Sequence, residues 1–208
     1  MHAAPAMHEA SSVPAAGRLD EALLELIPMQ GHWNVAGYLW LSELRPRLVE
    51  YVDGFIEIPP MPSDHHQTVL LRLWRLLDDH AATCGGKALC SAIPMRTVDE
   101  RYREPDILFL RRADDPRRGK RYWTGADFVA EIVSPDEPNR DIVVKRAEYA
   151  AAGIPEYWIV DPRYETVTVL ALAGDQYAER GVYRPGDVAP AVTLSGFAGD
   201  VTALLAGD

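Results

Sequence analysis

Residues 128–162 have the sequence FVAEIVSPDEPNRDIVVKRAEYAAAGIPEYWIVDP, and this stretch decides the fold. Its beginning belongs to an apolar run over 126–133, which predicts a buried strand. Residues 141–152 follow with helical spacing, and Gly153 stands where the C-terminus of a helix favours glycine. A second apolar strand is predicted over 156–160. A strand, a helix and another strand in succession indicate an α/β domain.

The flanking sequence adds further helices and strands on both sides of this stretch. Hydrophobic spacing and capping residues predict helices at residues 19–27, 35–44, 65–84 and 201–205. Apolar runs bounded by turn residues predict strands at 48–52, 55–58, 88–93, 94–98, 106–110, 166–172 and 176–183. The expected fold class is therefore α/β, with one mixed sheet flanked by helices, an N-terminal helical extension and C-terminal strands.

The composition is typical of a globular protein and excludes several other classes. The chain has 208 residues, of which 48% are hydrophobic and 25% are charged, so disorder over its whole length is excluded. No apolar run approaches the ~20 residues that a membrane helix needs. The two cysteines, Cys84 and Cys90, are too few for a disulfide scaffold and favour a cytoplasmic location. We expect a flexible leader over residues 1–18 and a single domain over 19–208.

The charge pattern directs attention to one loop. The net charge of −10 argues against a large non-specific surface for nucleic acid. Eleven basic residues nevertheless fall within residues 101–150, and six of them crowd the loop 111–121, where they could contact phosphates: Arg111, Arg112, Arg117, Arg118, Lys120 and Arg121. The alternative is a solvated loop whose arginines pair with its two aspartates.

Two acids stand in apolar strands, where a carboxylate is costly unless it is paired or binds a metal. Asp106 opens the strand 106–110, and Glu131 lies inside the strand 126–133. If the two strands are neighbours, both carboxylates could hold one Mg²⁺ ion, with the backbone carbonyl of Ile132 as a further ligand. The alternative is that each acid pairs with an arginine or lies on a solvated face.

A lysine on the following helix could reach these acids. Asp141, Lys145 and Tyr149 are spaced four residues apart and therefore share one helix face. A short connection after the Glu131 strand would fold this helix back over the sheet and bring Lys145 to the acids. A solvated Asp–Lys pair is the alternative interpretation.

Several short segments form a pattern together with these residues. They are EYVDG at 50–54, SDHHQ at 63–67, EPD at 104–106, EIVSP at 131–135, Lys145, and GIPEYWIVDP at 153–162. This pattern resembles the Uma-type family of putative restriction endonucleases, within the PD-(D/E)XK nuclease superfamily. The resemblance covers residues 20 to 205 and implies a restriction-endonuclease-like fold.

The resemblance also implies roles for individual residues. Asp106 and Glu131 match the metal-binding acids of the superfamily. Glu50 matches an acid that joins the site from a hairpin, and it could complete a second ion site as a metal ligand. The superfamily places a lysine two residues after the strand glutamate, where this chain has Val133. The family has a lysine on the next helix instead, which corresponds to Lys145. His66, Asp141 and Tyr149 would support these catalytic residues.

The implied activity is hydrolysis of phosphodiester bonds with Mg²⁺, or Mn²⁺, as the cofactor. The implied partners are a nucleic acid, DNA above all, and a second copy of the chain. The apolar residues at 38–41 would cover either the core or that second copy.

Two other functions stay open at the level of sequence. A catalytically inactive nucleic-acid-binding or protein-interaction module of the same fold would explain the missing lysine at Val133 and the negative net charge. A hydrolase acting on a small phosphate ester would suit an acidic surface, and burial of the basic loop would favour it.

Overall fold

The structure is a computed structural model that describes residues 29–44, 48–91, 93–98 and 100–207. The predicted leader over residues 1–18 and the predicted helix over 19–27 lie outside these residues. The helices are α1 (Val35–Leu44), α2 (Asp64–Cys84), a π-helix (Arg140–Lys145), α3 (Arg146–Ala151) and α4 (Val201–Leu205). The strands are β1 (Glu50–Val52), β2 (Phe55–Glu57), β3 (Lys87–Cys90), β4 (Met95–Arg96), β5 (Tyr102–Arg103), β6 (Ile107–Leu110), β7 (Phe128–Ile132), β8 (Glu156–Asp161), β9 (Thr166–Ala173), β10 (Gln176–Tyr183), β11 (Val188–Pro190) and β12 (Ala198–Asp200).

A six-stranded sheet with the order β10-β9-β8-β7-β6-β3 forms the centre of the fold. Strands β7 and β8 are parallel, and the other neighbours are antiparallel. The π-helix and α3 connect the one parallel pair, as parallel strands require a crossover. The predicted mixed sheet flanked by helices is therefore confirmed.

Helix α2 covers one face of this sheet. The hydroxyl of Ser63 caps its first turn by accepting a hydrogen bond from the backbone N–H of His66. Gly85 ends it in the left-handed conformation, with φ of 74°. Its buried residues recur every three or four positions and contact the sheet: Val69, Leu70, Leu73, Leu77 and Ala81.

The opposite face of the sheet packs against α3. Tyr149 and Ala150 of this helix join a core that includes Leu108 of β6, Val129 of β7 and Tyr157 of β8. Because side chains alternate along a strand, the even positions of β6 and the odd positions of β7 point to this face. The acids at positions 106 and 131 therefore lie on the side covered by α3.

A smaller sheet with the order β2-β1-β5-β4 lies at the N-terminal end of the described chain. Asp53 and Gly54 form the turn of the β1–β2 hairpin, both with positive φ. Helix α1 packs on this sheet through Tyr38, Leu39 and Leu41, which are buried, whereas Trp40 is 59% exposed. Of the apolar residues at 38–41, three therefore cover the core of this chain.

A buried glutamate in β8 ties the C-terminal segment to the sheet. The carboxylate of Glu156 accepts hydrogen bonds from the backbone N–H groups of Val192 and Thr193, from the Thr193 hydroxyl and from the indole N–H of Trp158. Four donors replace the water that this carboxylate loses on burial. The burial of this acid at the start of an apolar strand is thus explained by structural hydrogen bonds.

The structure differs from the sequence prediction in short elements and in one helix. The two- and three-residue strands β5, β11 and β12 were not predicted, because they are too short to show an alternating pattern. The helix predicted over 141–152 begins as a π-helix at Arg140 and becomes α-helical at Arg146. Within the described ranges, no helix is both long enough and apolar enough to cross a membrane.

We predict that Leu73→Ala lowers the free energy of unfolding by about 3 kcal/mol, because it opens a cavity between α2 and the sheet. Leu73 is completely buried, whereas Leu71 on the same helix is 51% exposed. Leu71→Ala is therefore the matched control and should cost well under 1 kcal/mol. Urea denaturation followed by circular dichroism measures both values, and equal losses would contradict the assignment of the buried face.

Candidate active site

Asp106 and Glu131 face each other across neighbouring antiparallel strands. The register pairs Ile107 of β6 with Ala130 of β7, so the next pair outward is Asp106 with Glu131. The Asp106 carboxylate accepts a hydrogen bond from the Ile132 N–H at 2.8 Å, and the Glu131 carboxylate accepts one from the Asp106 N–H at 3.3 Å. The structure thus brings these two acids together on one face of the sheet.

Glu131 is almost completely buried and is held by two side chains of the following helical segment. Its Oε1 atom accepts a hydrogen bond from the Tyr149 hydroxyl at 2.6 Å and lies 2.9 Å from the Lys145 ammonium. Burial raises the pKa of Glu131 to about 8, although the Lys145 ammonium opposes this shift. Even with the Lys145 ammonium beside it, this pKa lies above neutral pH, so a further cation would be needed to keep the Glu131 carboxyl fully ionised at pH 7.

The Lys145 ammonium lies among three carboxylates. Its Nζ atom is 2.9 Å from Glu131, 3.1 Å from Asp141 and 3.7 Å from Glu50. Burial alone would lower the pKa of Lys145, but the surrounding carboxylates outweigh it and hold the pKa above its ordinary value. Lys145 is therefore a permanent cation at this site and cannot act as a base.

The π-helix sets the position of this lysine. Asp141 and Lys145 lie in it, and Tyr149 lies in the α-helix that continues from it. All three side chains are buried against the acids of the sheet. Single π-helical turns within helices are frequent at functional sites. The structure thus brings these three helix residues, which the sequence analysis predicted as site residues, to one place.

His66 approaches the same acids from the first turn of α2. Its Nε2 atom lies 3.2 Å from the Asp106 carboxylate. Burial lowers the pKa of His66, but the hydrogen bond and charge of Asp106 outweigh it and raise the pKa above its ordinary value. His66 therefore fixes the orientation of the Asp106 carboxylate from the N-terminal end of α2.

Glu50 of β1 is fully buried and bound by three cations. Its Oε2 atom accepts hydrogen bonds from Arg103 at 2.7 Å and Arg140 at 2.6 Å, and its Oε1 atom lies 3.7 Å from Lys145. Oε1 also accepts the backbone N–H of Glu104 at 3.1 Å. Although burial opposes ionisation, these cations lower the pKa of Glu50 to about 2.

The two arginines that bind Glu50 were not identified from the sequence. Arg103 is only 2% exposed and also pairs with Glu57 at 2.6 Å and Glu148 at 2.7 Å. Arg140 pairs with Glu57 at 3.0 Å as well. The two carboxylates that both arginines share, those of Glu50 and Glu57, lie 46 to 90 residues away in the chain, and no local spacing predicts such pairs. Glu50 directly contacts three cationic side chains and holds them close together. Its role as a metal ligand stays a prediction.

These residues surround a cavity of about 130 Å³. Two of its lining side chains, Lys145 and Arg140, are always cationic. Six others are carboxylic acids: Glu50, Glu104, Asp106, Glu131, Asp136 and Asp141. The lining therefore carries an excess of negative charge when the acids are ionised. Such a cavity attracts cations and repels a bare phosphate.

The donor atoms of this cavity suit a hard divalent cation. Carboxylate and carbonyl oxygens are the ligands that Mg²⁺ prefers. Across residues 29–44, 48–91, 93–98 and 100–207, no three His, Cys, Asp or Glu side chains form a ready-made metal cage. Mg²⁺ is usually held by one or two carboxylates and several waters, so Asp106, Glu131 and the Ile132 carbonyl fit this mode of binding.

Comparisons with known proteins identify the family and support the fold. The sequence profile of the Uma2 family, described as putative restriction endonucleases, matches residues 37–203. The chain belongs to the Uma2 family. A crystal structure of a putative nuclease belonging to DUF820 from Anabaena variabilis is similar with a TM-score of 0.66 and 20% sequence identity, covering 83% of this chain and 97% of that one. No curated protein sequence matches the chain.

The resemblance to the Uma2 family found in the sequence is thus confirmed. Val133, which stands where the wider superfamily has lysine, is buried in the core between the sheet and α3. Lys145 supplies the only lysine ammonium among the residues that line the cavity. The lysine ammonium beside the acids therefore comes from the helix, and the position two residues after Glu131 is apolar.

The basic loop lies at the other end of the strands. Residues 111–121 follow the end of β6, whereas Asp106 precedes its beginning. Four of its six cations pair with carboxylates: Arg111 with Asp127, Arg112 with Asp114, Arg117 with Asp115 and Asp127, and Arg121 with Glu43. Within the described chain, Arg118 and Lys120 have no carboxylate partner. The structure does not bring this loop to the acids, and its contact with nucleic acid stays a prediction.

We predict that Glu50→Gln destabilises the protein by about 3–5 kcal/mol at pH 7, because it leaves buried cations without their shared partner. The pKa of Glu50 is about 2 in the folded protein and ordinarily 4.5. The contribution of the ionised carboxylate is therefore complete above pH 4.5 and is lost as the pH falls through about 2. Denaturant unfolding at several pH values should show the difference from the wild type shrinking over this interval.

Glu57→Gln is the control for this prediction. Glu57 contacts the same two arginines, but its side chain is 38% exposed. We expect a smaller loss of stability, since water can solvate the groups that Glu57 leaves. Equal losses for the two variants would contradict the central position of Glu50.

Proposed function

We propose that this protein hydrolyses phosphodiester bonds of DNA with Mg²⁺ as its cofactor. The observation that carries the proposal is the cross-strand pair Asp106–Glu131 with the Lys145 ammonium 2.9 Å from Glu131, in a cavity lined by an excess of carboxylates. Membership of the Uma2 family supports the same reaction class. Mn²⁺ would fit the same oxygen ligands.

Asp106, Glu131 and the backbone carbonyl of Ile132 would hold the cation. When bound, Mg²⁺ would supply a polarised phosphate oxygen and a water of lowered pKa. One oxygen of Asp106 is taken by the Ile132 N–H and the His66 ring. The other is left for the cation, so the protein orients this ligand before any metal arrives.

Lys145 would stabilise the negative charge that develops on the phosphate. Its contacts with Glu131 and Asp141 fix the ammonium in place, so no reorganisation is required during the reaction. Because the surrounding carboxylates keep Lys145 protonated, it orients water and phosphate oxygens as a hydrogen-bond donor. Tyr149 holds Glu131 in the position from which it contacts this lysine.

One observation favours a catalytically inactive binding module as the second candidate. Both oxygens of Glu131 are already engaged, by Tyr149 and Lys145 on one side and by the Asp106 N–H on the other. If these ion pairs exclude the cation, the site is purely structural. Measuring Mg²⁺ binding separates the two candidates.

A homodimer is part of the proposal, because nucleases that cut both DNA strands often act in pairs. Trp40 and Leu44 are exposed by 59% and 60% and lie four residues apart on α1. They form an apolar patch that a second copy could cover. Sedimentation of the wild type and of Trp40→Ser tests this part of the proposal.

We predict that Asp106→Asn abolishes Mg²⁺ binding and cleavage of supercoiled plasmid. The amide keeps the shape of the side chain but removes the charge that attracts the cation. Isothermal titration calorimetry measures binding, and agarose gels measure cleavage. Asp114→Asn is the control, because Asp114 is 77% exposed in the distant loop and should leave both properties unchanged. Failure of the wild type to bind Mg²⁺ would favour the inactive module.

We predict that Lys145→Gln retains Mg²⁺ binding but slows cleavage by ~10²-fold or more, the usual effect of removing one positioned donor in an active site. Lys145→Arg is the control, because it keeps a positive charge beside Glu131 and Asp141. It shows whether activity is lost only because these two acids are left without a cation. A Lys145→Gln variant that is folded and cleaves at the wild-type rate would remove Lys145 from the mechanism.

We predict that charge reversal of both Arg118 and Lys120 to glutamate weakens DNA binding and reduces its salt dependence, because these cations are not paired with carboxylates. Fluorescence anisotropy with a labelled duplex at several salt concentrations measures both effects. Arg112→Glu serves as a comparison, since Arg112 is already paired with Asp114. Unchanged affinity in the double variant would mean that the loop is only a solvated surface.

A further inference from the structure

A proline-rich segment between β2 and α2 forms part of the rim of the cavity. Residues 58–62 have the sequence IPPMP, and the last four of them line the cavity together with Asp106 and Glu131. Met61 is 69% exposed, more than any other large hydrophobic side chain in the described part of the chain. An apolar side chain therefore stands in solvent at the opening of a cavity whose interior is acidic.

The prolines restrict the backbone that carries Met61. A proline ring fixes φ of its own residue and limits the preceding residue to extended conformations. The segment is also anchored at both ends, because Ile58 packs against the core of the smaller sheet and Ser63 caps α2. Little backbone entropy is therefore lost when a ligand covers Met61.

The acids of the site lie below this rim. The side chain of Asp106 is 14% exposed and that of Glu131 is 2% exposed. At about 130 Å³, the cavity has room for a phosphate group but not for a base pair. A phosphate that reaches these acids must therefore leave its neighbouring base at the rim.

The chemistry of the rim suits the faces of bases better than a row of phosphates. Leu48 and the prolines line the cavity beside Met61. Lys145, Arg140 and His66 are the basic residues that line it, and each of them contacts a carboxylate. Binding of an intact duplex depends on cations placed along its phosphates. Unpaired bases expose apolar faces, and methionine and proline are among the residues that insert between base steps.

We propose that Met61 packs against the base beside the phosphate in the cavity, so that the site takes a DNA strand that is unpaired at this position. The inference rests on the proposed function, because it places a DNA phosphate at Asp106 and Glu131. It adds the class of substrate, which is single-stranded, mismatched or locally opened DNA. Such strands avoid the cost of unpairing and unstacking that an intact duplex must meet.

Binding of labelled oligonucleotides tests this inference without cleavage as the readout. Fluorescence anisotropy in CaCl₂, a cation that also takes oxygen ligands, compares a single strand with the duplex of the same sequence. Gels verify that the DNA stays intact. We expect the wild type to bind the single strand at least ~5-fold more tightly than the duplex, the low end of the range for side chains that stack on bases. Met61→Ala should lose most of this preference.

Met29→Ala is the matched control. Met29 is 46% exposed, and it is not among the residues that line the cavity. Its replacement should leave the affinity for both kinds of DNA unchanged. Met61→Leu keeps an apolar side chain of similar size and should keep the preference for the single strand. Melting temperatures equal to that of the wild type would show that all three variants are folded. Equal weakening in Met29→Ala and Met61→Ala would overturn the inference.

The outcomes separate this inference from the proposed function. Equal affinity of the wild type for the single strand and the duplex, or an unchanged preference in Met61→Ala, overturns the inference alone. No binding of either DNA by the wild type overturns both. A preference that depends on Met61, in a protein that does not cleave plasmid with Mg²⁺, supports the inference and overturns the proposed hydrolysis.

Discussion

The arrangement of the site depends on the buried carboxylate of Glu50. It is completely inaccessible to solvent and contacts Arg103, Arg140 and Lys145 at once. Burial of so many charges is unfavourable unless every charge has a partner. The hairpin that carries Glu50 and the helix that carries Lys145 can therefore be in place only together.

This network connects the smaller sheet with the π-helix that lies against the main sheet. Glu50 and Glu57 belong to the N-terminal hairpin, Arg103 to β5, and Arg140 and Lys145 to the π-helix. The main sheet contributes Asp106 and Glu131 from the ends of two adjacent strands. The cavity forms where these parts meet, so its shape and its charge are set by the same ion pairs.

Comparison of two glutamates shows how far the site could be predicted. Glu131 lies inside an apolar strand and Glu156 opens one, and both are buried. Glu131 could be singled out from the sequence because it lies in the pattern that resembles the Uma-type family. The structure places it beside Asp106, Lys145 and Tyr149. Glu156 is satisfied by four structural hydrogen bonds. Apolar context alone cannot distinguish these two cases, because the difference lies in partners that are distant in the chain.

The sequence by itself determined the α/β class, the main helices, most strands of the central sheet and the family, because periodicity, capping residues and short motifs are local properties. Only the tertiary structure decided that Arg103 and Arg140 bind Glu50, that Met61 lines the cavity of the acids, and that the basic loop lies away from them. Each of these depends on strand order and register, which bring together residues far apart in the chain.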